Sequence, residues 1–407
     1  MKIDGGETNL RGVRSSRSSG RIATTRGILL RRARTTSTGR TPAGHSTTAE
    51  RAGIRKLQPA TPSDLLEVRL RKFRANELAH RQRPTHRQIA YDALSRVVPQ
   101  AIGYTGTIFL PYPYNLLAVA IFALATVSLL GSWFHDAVHG NTCAPRWVAV
   151  ILQRLGSSPV GFSPHWWIYK HVRLHHRYPG DPELDPDIQF GSLGRVTNSQ
   201  KWRPLHSTQH IHMWLLLPMS TLNMLKPAEP WLKRRYRNRH GLRATTPSWL
   251  FLLDKYVPAA IVWAPVFIAR SFGSTIVMFL SFHLLAGTLV SFITQVQHNT
   301  TLSNTEGREC SDRWPLCNQL IQTSDVGHHA GLWWRLCGGV NFHVVHHIAP
   351  SLSFLELPAA TSRLRADLAD IGVELPTHTG MRAAISSHAS LIYSLSRPNP
   401  ASTNSSR

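Results

Sequence analysis

His171-Val-Arg-Leu-His175-His176 puts three imidazoles into six residues. Two comparable groups stand elsewhere, His135-Asp136-Ala-Val-His139 upstream and His343-Val-Val-His346-His347 far downstream. Residues three and four apart share one face of a helix, so each group is expected to aim two or three ring nitrogens at one point. Imidazole is the commonest side-chain ligand for iron, copper and zinc. With 22 histidines in 407 residues, one such spacing arises by accident far more easily than a set of them. The set points to a polynuclear metal site.

The groups are embedded in a chain of very uneven hydrophobicity. Residues 114–134 and 256–296 are almost uninterrupted apolar sequence, whereas residues 1–92 are polar and basic. About 20 apolar residues cross a bilayer, so Asn115–Phe134 reads as a full span. Val97–Leu110 is a shorter apolar stretch that meets it in a hairpin at Pro111-Tyr-Pro113. A third span is expected near Tyr256–Phe272, with Asp254 and Lys255 at one mouth and Arg270 at the other. A fourth is expected near Ser274–Gln295, after a turn at Gly273. The third and fourth spans form a hairpin, so residues 135–248 and 297–407 lie on one side and all three histidine groups face one compartment. Lys233, Arg234, Arg235, Arg237, Arg239 and Arg243 fall in that first loop, which makes the compartment the cytosol by the positive-inside rule.

The net charge of +24 raises the question of nucleic acid. No helix-turn-helix, zinc-finger or RNP pattern occurs, and the basic residues flank apolar spans instead of alternating with stacking aromatics, which argues against a nucleic-acid partner and for anionic headgroups. Residues 1–57 are rich in Arg, Ser, Thr and Gly and are expected to form a disordered basic tail. Residues 58–92 read as amphipathic, interfacial helices, the first starting at Thr61-Pro62-Ser63-Asp64 and the second after Pro84. Residues 93–395 form the main domain, and 396–407 a frayed tail. Cys143, Cys310, Cys317 and Cys337 form no C-x-x-C pair and fit a reduced compartment.

Three chemistries suit such histidines. A di-iron oxygenase uses eight clustered imidazoles on two first-row metals with open positions for oxygen. A transporter or haem relay wants ligands near the bilayer midplane, where only His283 falls. A structural zinc site needs four ligands and favours Cys. Physical reasoning favours the first.

The residues also resemble a family. His135-Asp-Ala-Val-His139-Gly140, His171-Val-Arg-Leu-His175-His176 and Asn341-Phe-His343-Val-Val-His346-His347 are similar to the three histidine boxes of membrane fatty acid desaturases. So are Tyr178-Pro-Gly-Asp-Pro-Glu-Leu-Asp185-Pro-Asp187, Gly338-Gly339 and His347-Ile-Ala-Pro350, and the likeness covers roughly residues 90–375. It implies an all-α integral membrane fold of four transmembrane helices in two hairpins, with a cytosolic helical cap carrying the di-metal site. It implies two non-haem iron ions with O2 as co-substrate, and a double bond introduced into a long acyl chain of an acyl lipid or acyl-CoA. The implied ligands are His135, His139, His171, His175, His176, His343, His346 and His347, with His298 of Gln297-His298-Asn299 as a ninth. Asp136, Asp185 and Asp187 are expected to hold ring N–H groups. Relatives with similar boxes hydroxylate or ketolate lipids, which is the alternative outcome. Front-end desaturases carry Gln where His343 stands. No His-Pro-Gly-Gly cytochrome b5 signature occurs, so an external ferredoxin or cytochrome b5-type donor is implied. The implied location is the plasma membrane in a bacterium or the endoplasmic reticulum in a eukaryote.

The other histidines, His165, His206, His210, His212, His240, His328 and His329, are expected to be packed or surface residues. His283 stands out as a polar residue inside a span. Trp133, Trp166, Trp167, Trp333 and Trp334 are expected to anchor the interface.

Overall fold

The computed structural model describes residues 61–141, 143–241, 245–303 and 315–398, so the N-terminal tail, residues 399–407 of the C-terminal one, Cys310 and Arg243 lie outside the described residues. Helix α1 (Pro62–Ala79) opens where the sequence says it should. Thr61 Oγ1 accepts the Asp64 amide at 3.2 Å while the Asp64 carboxylate accepts the Thr61 amide at 2.9 Å, a reciprocal cap with Pro62 at the first helical position. Its buried face is turned onto the protein rather than toward lipid. Leu70 and Phe73 enter the core, and buried Glu67 accepts the amides of Leu316 and Cys317 at 2.9 and 3.0 Å.

Helix α2 (His86–Phe109) and helix α3 (Tyr114–Leu129) pair around Pro111-Tyr-Pro113. A Cβ added at Gly103 would lie 2.5 Å from the Phe122 amide nitrogen, so glycine is what lets the two backbones approach. After α3 the chain passes through a π-helical turn, Leu130–Phe134, into His135–Val138. Helix α4 (Arg146–Ser157), two short helices α5 (Gln209–Leu216) and α6 (Ser220–Met224), and the basic α7 (Glu229–His240) follow. Then come the long α8 (Ser248–Ala269) and α9 (Phe272–His298). The remainder is α10 (Pro315–Ile321), α11 (His343–Ile348), α12 (Leu357–Ala369) and α13 (Met381–Ser394). One two-stranded parallel ladder, β1 (Asp325–Val326) with β2 (Thr377–His378), is present among the described residues.

Among the described residues three helical stretches are long and apolar enough to cross a membrane: Tyr114–His139, Ser248–Ala269 and Phe272–His298. The helix of the third expected span begins at Ser248, before Asp254 and Lys255, and both of these are buried and paired. Asp254 binds Arg154, Ser163 Oγ (2.9 Å) and His165 Nδ1 (3.0 Å), while Lys255 pairs with Glu229. Compensated in this way, buried charge does not end a helix.

The two larger apolar cores among the described residues hold the helices together. One, among α3, α8 and α9, centres on Phe122, Trp263 and Phe282, with ring centroids 4.8–6.3 Å apart. Between lipid-embedded helices such packing, not water exclusion, holds neighbours together. The other gathers Trp133, Phe342, Phe354, Leu364 and Leu368 beneath α1, α10 and α12. Each large side chain fully buried there contributes about 1.5–3 kcal/mol by leaving water.

Candidate metal centre

The histidine groups meet between these cores. First come the ends of the rods: His135 and His139 close the stretch that α3 begins, and His298 is the last residue of α9. The second box lies on a π-helical run, Ile168–His175. There the His176 amide bonds the His171 carbonyl five residues back at 2.9 Å. A π-turn changes which side chains share a face, and such turns cluster at functional sites. The third box forms α11, whose start is fixed by Asp325 Oδ1 accepting the Val344 amide at 2.8 Å. The loop before α11 lies against the π-turn before the first box. Gly338 has φ +69, and a Cβ there would come within 2.5 Å of Gly131 C and Ser132 N.

The rings sort into two groups. His135, His139, His171, His176 and His346 form one; His175, His298, His343 and His347 form the other, and within each the ligating atoms lie within 4.8 Å of one another. The first box aims both its rings, His135 and His139, at one group as helical spacing suggested, but the other two boxes divide. The second splits into His171 and His176 against His175, the third into His346 against His343 and His347.

The donor atoms suit metal ions. In the first group Nε2–Nε2 distances are 2.9 Å for His135–His171, 3.2 Å for His171–His176 and 3.0 Å for His176–His346. In the second they are 3.1 Å for His175–His298, 2.7 Å for His298–His343 and 3.1 Å for His343–His347. Two nitrogens at right angles about an ion roughly 2.1 Å away stand about 3.0 Å apart. His139 Nε2 is buried without a hydrogen-bond partner among the described residues. A cation supplies what these lone pairs otherwise lack.

The outer ring nitrogens decide which nitrogen carries the proton. His175 Nδ1 donates to Asp185 at 3.0 and 3.2 Å, and Asp187 Oδ2 stands 3.5 Å away, itself paired with Lys170. His347 Nδ1 donates to Gln319 Oε1 at 2.6 Å, and His298 Nδ1 to the Gln322 carbonyl at 3.0 Å. Gln319 is locked in that sense because its amide donates to the His176 carbonyl at 2.8 Å. Each of these bonds puts the hydrogen on Nδ1 and leaves Nε2 free to ligate. Asp136 takes another part: its carboxylate accepts the Phe354 amide at 3.1 and 3.2 Å, tying the first box to the loop after the third.

Burial, reinforced by neighbouring imidazoles, holds His171, His176, His343, His346 and His347 well below the usual histidine range, so these rings are neutral. For His175 burial pulls the same way, but Asp185 and Asp187 outweigh it and its pKa is raised. Burial pushes Asp325 up to about 7 against the pull of the Val344 amide.

Gln319 and Gln322 carry no spacing signal and were missed in the sequence. Trp133 and Trp166 are buried rather than interfacial. Trp133 Nε1 donates to Asp92 at 3.0 Å, and Trp167 stacks on His171 and Phe162 with centroids 5.7 and 5.1 Å away. His283 donates from Nδ1 to Thr221 at 3.2 Å.

The profile of the family Fatty acid desaturase matches residues 111–378. Among curated proteins the chain is 23% identical over 274 residues to the sn-1 linoleoyl-lipid 6-desaturase of Arthrospira platensis, covering 64% of this chain and 73% of that one. It is 25% identical over 239 residues to an acyl-lipid (8-3)-desaturase of Physcomitrium patens (55% and 48%), and 26% over 259 residues to fatty acid desaturase 3 of Homo sapiens (58% and 52%). With the profile spanning all three histidine boxes, the chain belongs to the fatty acid desaturase family and is an oxidoreductase acting on fatty acyl chains.

Proposed function

We propose that the nine histidines hold two non-haem iron ions and that the enzyme places a double bond in the acyl chain of a membrane lipid. The observation that carries this is the division of the rings into groups of five and four whose Nε2 atoms face inward. Iron so held supplies oxygen activation. The overall change is balanced by O2, two electrons and two protons: two hydrogens leave adjacent methylenes, one C=C forms and two waters are released. The electrons come from a separate ferredoxin or cytochrome b5-type protein.

The chain's own residues supply position and protonation. Asp185, Gln319 and the Gln322 carbonyl hold three rings in the ligating tautomer. Lys170 keeps Asp187 ionised beside His175: burial opposes this, yet the Lys170 charge holds the carboxyl below its usual range. Phe162, Trp167 and Phe134 bring an apolar wall against His171, suited to exclude water from a methylene.

The same reading takes residues 93–395 as the catalytic domain and α2–α3 and α8–α9 as two transmembrane hairpins. Basic α7 and the histidine groups then lie on the cytosolic side. Acyl-lipid substrates are favoured because relatives from Arthrospira platensis and Physcomitrium patens are named for them. The test is expression in a host of known lipid composition with fatty-acid profiling. A new unsaturated acyl species that disappears in His346→Ala is expected; a hydroxylated species instead would refute the proposal.

A further inference from the structure

Helices α5 and α6, joined by a 3-10 turn over Leu217–Met219, run antiparallel along α9. The register is fixed by side-chain bonds. Ser291 Oγ donates to the Leu217 carbonyl at 2.9 Å, Ser220 Oγ to the Gly287 carbonyl at 3.0 Å, and Thr221 Oγ1 to the His283 carbonyl at 2.8 Å. Gly287 makes the contact possible, since a Cβ there would lie 2.1 Å from the Pro218 carbonyl oxygen. At 1.5 Å per residue, a hydrocarbon layer of about 30 Å measured from Phe272 ends near Phe292. His283 then lies about 13–14 Å inside it, and Thr221 with it.

We propose that residues 217–225 are a re-entrant membrane segment, entering and leaving through the leaflet nearest the histidine groups, with lipid acyl chains against Met219. The stretch is too short to cross. Irregular backbone at such depth is stable only where protein satisfies its polar groups. Lys255 Nζ donates to the carbonyls of Met224 and Lys226 at 2.6 and 2.9 Å, and Tyr256 Oη to that of Leu225 at 2.5 Å. On the opposite face Ile211 (60% exposed), Leu215 (72%) and Met219 (45%) recur every four residues. Leu280 and Leu284 of α9 are exposed as well. The turn also gives the intramembrane His283 its partner, Thr221.

The inference rests on the proposed crossing of the bilayer by α9, and the experiment keeps the two apart. The full-length enzyme is reconstituted in phosphatidylcholine vesicles containing a phosphatidylcholine with a diazirine at the end of one acyl chain. It is photolysed, and adducts are mapped by mass spectrometry; a parallel sample is exposed to hydroxyl radicals in the aqueous phase. Adducts on Met219, with Met219 protected from oxidation while half-exposed Tyr393 at the top of α5 is oxidised, are expected. Adducts on Val277–Leu284 of α9 without any on 217–225, together with oxidised Met219, overturn the proposal while leaving the span intact. Absence of adducts from α9 as well overturns the orientation itself.

Discussion

Asp185 is the sharpest place to test the metal assignment, because its carboxylate serves one histidine group only. It accepts His175 Nδ1 at 3.0 and 3.2 Å, the Gly180 amide at 2.9 Å and the Asp187 amide at 2.9 Å. Asparagine has one carbonyl oxygen for these donors, and its NH2 must face an N–H whichever way it turns. The imidazole loses a charge-assisted partner without loss of volume. Such partners behind a ligating ring are worth 10–100-fold in metal affinity, about 1.4–2.8 kcal/mol. The loss falls on the group of His175, His298, His343 and His347; the other five rings do not contact Asp185 among the described residues. Purified wild type and Asp185→Asn are dialysed against graded iron chelator and iron per chain is counted, with metal-free melting temperature as a check on folding. Over a range of chelator the wild type is expected to keep two irons and the variant one. Equal retention of both irons would refute the tautomer argument; simultaneous loss of both would refute the division into separable groups.

Further expectations use the same preparations. His343→Gln should keep more iron and desaturase product than His343→Ala, because the amide oxygen can still ligate where Nε2 stood, 2.7 Å from His298 Nε2; equal loss in gas-chromatographic product yield would count against His343 as a ligand. Asp136→Asn should retain both irons under the chelator that strips Asp185→Asn, since Asp136 holds the Phe354 amide rather than a ring. Gly131→Ala should lower the yield of folded protein sharply, by at least the 1–3 kcal/mol of ordinary overpacking, because its Cβ would stand 2.2 Å from the Cys337 carbonyl oxygen. The metal-free protein should lose stability as pH falls below the ordinary histidine value of 6.5. His171, His176, His343, His346 and His347 are among the rings with depressed folded-state pKa values, so the unfolded chain binds more protons there, up to roughly 1.4 kcal/mol per pH unit for each ring. His175, with a raised pKa, opposes this in part, and a melting temperature that rises on acidification would contradict the sign.

That the box histidines would gather was legible because imidazoles at short spacings are rare by chance, and that His298 would join them from its likeness to a family position at the end of the fourth span. How the rings divide was not legible. A π-turn gives no signal in composition, yet it is what sets His171 and His176 on one side and His175 on the other. Gln319 and Gln322 act through contacts with distant residues, which local spacing does not encode. That the helix starts before Asp254 and Lys255 was not legible because the sequence shows charges but not their partners. Helices α5 and α6 escaped because each is far shorter than a bilayer crossing, so their apolar run reads as an ordinary loop.

The helices that bear the rings have one more consequence. His135 and His139 cap one lipid-embedded rod and His298 another, while the rods touch lower down where Phe122 meets Phe282 at 4.8 Å. Where His135, His139 and His298 stand is therefore set partly by the bulk of Phe122 and Phe282, far from any ring nitrogen.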